Sequence, residues 1–565
     1  MAIETPLLLD NPVEDSVDYK GRPVYRFNSG GWKSTLFIIV VEVAERSAYH
    51  GIAGNLITYL TGPLGQSTVT AAENMNVWSG TAWLLPLLGA FVADSFIGRY
   101  RTIVVSTLIY ILGLGLLALS AVLPALGSSG CQSSDTARSC SPDPVLILFF
   151  FALYLVAIGQ GGFRACVQAF GADQFDGQDP EERKAKSSFF NWWYFFMNAG
   201  LIVVLPALNY IQDNINWGLG FGIPCLILAG ALAIFLLGTR TYRYSIRREE
   251  EKHAFLGVGR VFVATFRNWR ITTAVAFEEE THRAQPHQSS GQFKFLNKAL
   301  LDPNDSKGDS KVCSLREVEE AKAVLRLVPI WTTCLIYAIV FAQPATLFTR
   351  QAITMNRSVL ADLEFPAASV QLFIPATVVV LVAIYDRAFV PVARALTGEP
   401  SGITMLQRIG TGVYLSFLAM VVAALVEVKR LKKAQQYGLV DTPEVTIPMS
   451  AWWLIPQNVL LGAADVFTMI GMQEFFYDQV PSGLRSVGLA LFLSVIGVGN
   501  FLSSFLISII DKATGGEGHY SWFANNLNRA HLDYFYWLLA ALSAVQFVAF
   551  LYFGKSYIYS RGGAA

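Results

Sequence analysis

Glu42, Glu45 and Arg46 interrupt an otherwise apolar stretch, Leu36-FIIVVEVAERSAYHG-Gly51, of a length that suits a membrane helix. The charges fall at i, i+3 and i+4, so they share one helix face. A charge at the bilayer centre costs about 2.5–3.5 kcal/mol per residue on insertion scales. Three together persist only where they line a polar cavity, pair with one another, or move protons. Two acids and one base leave an acid without a local partner, which favours function over a simple structural lock.

The rest of the chain agrees that lipid is its solvent. Of 565 residues, 53% are hydrophobic and 15% charged, a balance that no soluble chain of this length would need. The 42 basic and 42 acidic residues cancel, and no basic patch points to nucleic acid. Six cysteines make no disulfide scaffold, although Cys131 and Cys140 share one polar loop and could pair if it faces an oxidising lumen. There is no phosphate-binding glycine loop, no metal-ligand spacing and no nucleophile–base order, so neither an enzyme nor a cofactor is expected. The acidic N-terminus lacks the shape of a signal peptide.

About 20 apolar residues span a bilayer. Twelve candidates lie at 32–60, 75–97, 102–124, 145–170, 188–211, 217–238, 322–347, 367–389, 403–427, 451–476, 484–510 and 532–555. The expected organisation is a tail (1–31), a six-helix bundle (32–238), a soluble linker (239–321), a second six-helix bundle (322–555) and a short tail (556–565). The linker carries 14 Lys/Arg and 12 Asp/Glu. Two six-helix halves about a linker resemble the all-α architecture described for major facilitator transporters, in which the site lies between the halves. Within the linker, Val258, Val261, Phe262, Phe266 and Trp269 recur at helical spacing beside Arg260, Arg267 and Arg270. They read as an interfacial helix or an ordinary packed one. The segment 306–310 reads as loop.

Lys/Arg bias puts both termini and the linker in the cytosol. Arg99, Arg101, Arg183, Lys184 and Arg485 agree; Lys429-Arg430-Leu431-Lys432-Lys433 does not. Asn356-Arg357-Ser358 is a weak glycosylation signal on the other side.

Arg164 interrupts the fourth span and Asp465 the tenth, one from each half. Arg164 could simply pair with Glu42 or Glu45. Alternatively the pairing depends on state: a carboxylate beside arginine stays ionised, and one separated from it in apolar surroundings takes a proton. That competition would couple protons to helix movement. Gly161 and Gly162 permit close helix approach, and Pro86, Pro206, Pro224, Pro344, Pro375 and Pro456 permit kinks. At the end of the second span, Asp94 and Arg99 could latch a cytosolic gate. Thr102 reads either as a helix cap or as a kinase site.

Glu42-x-x-Glu45-Arg46 with Tyr49 and Gly51 resembles the ExxER motif of proton-coupled oligopeptide transporters. Phe170-GADQFD-Asp176, Asp386-RAFVPVAR-Arg394 and Gln473-EFFYDQVP-Pro481 resemble the plant nitrate and peptide transporter branch. The likeness runs from about Asp18 to Tyr559. It implies the major facilitator fold, alternating access and proton coupling through Glu42, Glu45, Arg46 and Arg164. It also implies substrate contact at Tyr49, Arg164, Phe341 and Asp465, and phosphorylation at Thr102. Arg164 replaces the usual lysine and gives up a proton far less readily. Asp465 replaces glutamate and is one methylene shorter. Phe341 stands where nitrate-transporting relatives carry an anion-binding histidine, and a phenyl ring offers neither hydrogen bond nor charge. Ala90 replaces a glycine of the wider superfamily.

The expected function is proton-coupled transport of a small anionic or zwitterionic solute such as nitrate, a short peptide or a specialised metabolite. The aromatic residues Tyr49, Tyr337 and Phe341 suit an organic solute. A substrate sensor acting through Thr102, or a proton-independent uniporter, are the alternatives. Glu4-Thr-Pro-Leu-Leu8-Leu9 reads as an acidic dileucine signal for a sorting adaptor, which would place the protein in the vacuolar membrane rather than the plasma membrane.

Overall fold

The computed structural model describes residues 12–13, 16–126, 144–176, 179–245, 254–269, 293–300, 313–360, 363–397, 403–480, 485–515 and 521–557. Among these, eleven helices are long and apolar enough to cross a membrane. The remaining span of the expected twelve is α1 (Gly31–Ala53), 23 residues long, whose mid-helix charges make it less apolar than the rest. The first half continues with α2 (Leu56–Thr61), α3 (Thr68–Val92), α4 (Arg99–Leu126), α5 (Pro144–Ala172), α6 (Pro180–Asn214) and α7 (Trp217–Leu237). After the linker helix α8 (Ala254–Arg267), the second half comprises α9 (Leu315–Phe341), α10 (Thr349–Ile353), α11 (Phe373–Ile384), α12 (Val390–Thr397), α13 (Met405–Gln436), α14 (Ile455–Asp478), α15 (Arg485–Thr514) and α16 (Leu532–Ser556).

Three starts precede the hydropathy reading by seven or eight residues. Helix α3 begins at Thr68 rather than 75, where Ser67 accepts from the Thr70 amide. Helix α9 begins at Leu315 rather than 322, because Ser314 and Glu317 close a capping box and the polar first turns stand clear of lipid. Helix α6 begins at Pro180, where Asp179 caps the amide of Glu182. Residues Ala93–Ile97, Pro344–Phe348 and Tyr385–Phe389 form single π-helical turns, the first and last closing the second span of each half. Such turns often sit at functional positions.

The halves are joined at the end away from the linker. There Arg350 donates to Thr61 (3.0 Å) and Thr68 (3.4 Å), Asn76 to Ser503 (3.2 Å), and Gln371 to the Gly54 carbonyl (2.9 Å). Helices α3 and α15 approach through glycines: a Cβ on Gly80 would stand 2.9 Å from the Gly497 carbonyl. At the linker end the prominent ion pairs close within one half. Arg26 binds Asp176, Arg99 binds Asp173 and Arg243 binds Glu182 in the first half; Arg408 binds Glu474 in the second. The strand pair β1 (Ser16–Val17) and β2 (Tyr244–Ser245) clips the N-terminal segment beneath the first half. Gly30, at φ +71°, lies so close to Arg243 that a Cβ would clash with the guanidinium.

Helix α8 packs on the second half, with Val261 buried against Leu296, Ala299, Val318 and Ala321. Its other face exposes Val263 and Phe266, and Trp269 is exposed just past its end. The packed reading describes the Val261 face. Cys131, Cys140, residues 306–310 and Glu4–Leu9 lie outside the described residues.

Candidate functional site

Helix α1 turns Glu42, Glu45 and Arg46 inward as its spacing requires. Arg46 Nε donates to Glu42 Oε1 at 2.9 Å and lies 3.9 Å from Glu45. Glu45 is fully buried. The partner it lacks within α1 comes from α5: Arg164 Nε lies 3.5 Å from Glu45 Oε1, with its side chain 7% exposed. Two acids therefore meet two bases, and the deficit read from α1 alone is filled across the bundle. The glycines of α5 make this possible. A Cβ on Gly159 would meet Tyr110 of α4 at 2.6 Å, and one on Gly161 would meet Leu85 of α3 at 2.6 Å. Side chains here would push α5 away and withdraw Arg164 from α1.

The guanidinium of Arg164 lies over two aromatic rings, with Cζ 4.4 Å from the Tyr49 centroid and 5.1 Å from that of Trp83. Such contacts hold a cation with little loss of its charge. Tyr49 stacks in turn on buried Trp78 at 5.5 Å.

Trp83 also leads across the interface. Its ring meets Phe341 of α9 edge-on at 6.4 Å, and Phe341 lies 6.4 Å from Tyr337 one turn earlier. The Tyr337 hydroxyl donates to Asp465 Oδ1 of α14 at 2.5 Å. A continuous path thus runs from Glu45 through Arg164, Trp83, Phe341 and Tyr337 to Asp465. It carries a positive group on one side and an acid on the other, with the partly exposed rings of Trp83 and Phe341 and the buried ring of Tyr337 between. Proton-coupling and substrate candidates Glu42, Glu45, Arg46, Tyr49, Arg164, Phe341 and Asp465 are brought together. Trp83 was missed by sequence reasoning; one tryptophan among 12 in the chain carries no local signal.

The residues expected to gate or to be phosphorylated lie elsewhere. Asp94 lies on the π turn that ends α3, and Arg99 donates to Asp173 at 2.5 Å, tying the start of α4 to the end of α5. Thr102 is not the cap of α4. It lies inside the first turn, buried, with its hydroxyl donating to the Gly98 carbonyl at 2.9 Å. A kinase could not reach that hydroxyl in this conformation.

The family described as PTR2, POT family, matches residues 100–523. The chain is 61% identical to Protein NRT1/PTR FAMILY 5.10 of Arabidopsis thaliana, over 97% of this chain and 96% of that one. It is 55% identical to Protein NRT1/PTR FAMILY 5.14 of the same plant, over 98% of each. Among solved structures it resembles an auto-inhibited POT family peptide transporter, with TM-score 0.69 and 21% identity over 94% of this chain and 99% of that one. It also resembles a POT family transporter in complex with 5-aminolevulinic acid, with TM-score 0.61 and 15% identity over 93% and 96%.

Proposed function

The chain belongs to the POT family of membrane transporters, and from that premise we propose that it couples protons to the movement of a small anionic or zwitterionic solute by alternating access. The observation that carries this reading is the pair of opposed charged stations, Glu45–Arg164 on the first half and Tyr337–Asp465 on the second, facing each other through Trp83 and Phe341. A solute with a negative group suits Arg164, and an amine on the same solute suits Asp465. Organic solutes gain contact with the rings between; nitrate would find no histidine there.

The stitching of the halves by Arg350, Asn76 and Gln371 fits a state closed on the far side, with exchange at the linker end, which the Lys/Arg bias makes cytosolic. Glu45 would carry the proton and Arg164 would answer to its charge. The sensor alternative gains no support from Thr102, whose hydroxyl is spent inside its own helix. Location in the vacuolar membrane rests on Glu4–Leu9 alone, and a fluorescent fusion with Leu8→Ala and Leu9→Ala tests it by moving to the plasma membrane.

The test of coupling is parallel measurement of current and radiolabel uptake across a pH step, after an untargeted metabolite screen in oocytes has found a solute. Linked current and flux are expected. Flux indifferent to pH would establish a uniporter, and binding without flux a sensor.

A further inference from the structure

At the end away from the linker, Arg350, Thr354, Pro443 and the loop 525–528 line a cavity of about 190 Å³. That is room for on the order of ten waters, or for a small anion. No carboxylate is among the described lining residues. Arg350 is half-buried and makes no ion pair among the described residues. Of the N–H donors of its guanidinium, the hydroxyls of Thr61 and Thr68 take two, at 3.0 and 3.4 Å, and Nε is buried with no acceptor. Its charge therefore lacks a counter-charge in the protein, which is costly away from bulk water.

The loop that shares the cavity also offers donors. Asn525 Oδ1 accepts from the Thr68 amide at 2.9 Å, Asn526 Oδ1 from the Asn528 amide at 3.0 Å, and Asn528 Oδ1 from Arg430 at 2.9 Å. The amide oxygens of these side chains are thus spent. Among the described residues, by contrast, Asn525 Nδ2 and the backbone N–H groups of Asn525, Asn526 and Leu527 give no hydrogen bond. Successive unspent N–H groups in a turn are a usual wall of an anion site. Asn525 and Arg350 both hold Thr68, one by its amide and the other by its hydroxyl, so cation and loop converge on one residue. Acids on neighbouring segments are already engaged, Asp441 by Arg529 and Glu427 by Arg430 and Gln351.

We propose that this cavity is an outer anion site, which takes a small inorganic anion or the carboxylate of an organic acid between Arg350 and the loop 525–528. It is separate from the central charged stations, at the far end of the span that carries Phe341. Because Arg350 and Asn525 both reach the first half through Thr68, a bound anion also braces the far-side closure.

Thermal melts of the purified full-length protein in detergent, begun at low salt, read occupancy without knowledge of the transported solute. Sodium chloride, nitrate, phosphate and acetate are added in separate series. At least one should give a saturable rise in melting temperature of about 2 °C. A rise with acetate alone assigns the site to an organic carboxylate, and a rise with chloride, nitrate or phosphate to an inorganic anion. Arg350→Gln keeps a donor for Thr61 without the charge and should lose the saturable rise. Asn525→Asp keeps the acceptor for the Thr68 amide and sets a resident carboxylate beside Arg350. It should melt no lower than the native protein at low salt and respond to none of the four anions. Screening by salt alone would move native protein and variants alike without saturation, and that result overturns the proposal. If Arg350→Gln does not fold, Asn525→Asp decides: an undiminished anion response, or failure to fold with a carboxylate at that place, overturns the proposal equally.

Discussion

Glu427 with Arg430 in α13, and Glu45 with Arg164 in the first half, are both buried pairs of opposite charge, yet they are completed in opposite ways. Arg430 gives Nη2 to Glu427 Oε1 at 2.6 Å and Nε to Oε2 at 2.7 Å, while Gln351 adds a bond to Oε2 at 2.6 Å. The same guanidinium reaches Thr354, Asn528 and the Leu527 carbonyl. Every strong bond available to the pair is made. Around Glu45 the contacts are longer: Arg164 Nε stands 3.5 Å from Oε1 and Arg46 Nε 3.9 Å from Oε2. A buried charge is thus no sign of work by itself; the distinction lies in whether its hydrogen bonds are filled. A filled cluster has one arrangement, and an unfilled one can have two.

The comparison breaks most sharply if the filled cluster proves dispensable. Arg430→Ala should strand Glu427 and cost about 3–5 kcal/mol of stability. A thermal melt in detergent equal to that of the native protein would show that the far-end network is not a lock. The unfilled cluster should respond in the other way. Glu45→Gln should abolish proton-driven accumulation while leaving solute exchange in part, with the melt little changed. Within the same cluster Arg164→Ala should lose more activity than Arg164→Lys, because a positive charge opposite Glu45 is required. Equal activities of those two variants, at equal surface expression, would mean that the charge does not matter. The smallest expected effect sharpens the substrate side. Phe341→His should raise nitrate uptake at acidic pH, where the imidazole is charged. No gain in a protein that reaches the membrane would mean that the space beside Trp83 and Tyr337 is shaped for another solute.

Much of the site was legible because charges in apolar helices stand out. Glu42, Glu45, Arg46, Arg164 and Asp465 are conspicuous by their cost. What stayed hidden depends on contacts between distant parts of the chain. Lys429–Lys433 looked like an exception to the charge bias. Arg430 is absorbed by Thr354, Asn528 and Leu527, far away in sequence, and Lys429 lies over the Trp453 ring. Arg350 was missed because its acceptors are neutral threonines, which leave no charge pattern to read. Helix starts were misjudged where a capping box, and not lipid, sets the boundary.

The clasps at the linker end recur at equivalent places in the two halves. Arg99 to Asp173 joins the third and fourth spans of the first half, and Arg408 to Glu474 joins the third and fourth of the second. Arg164 precedes Asp173 by nine residues, and Asp465 precedes Glu474 by the same nine. The two charged stations at the centre therefore stand the same distance before equivalent clasps, one in each half, with opposite sign. On the proposed function, a solute held between them would meet a cation at one end and an acid at the other.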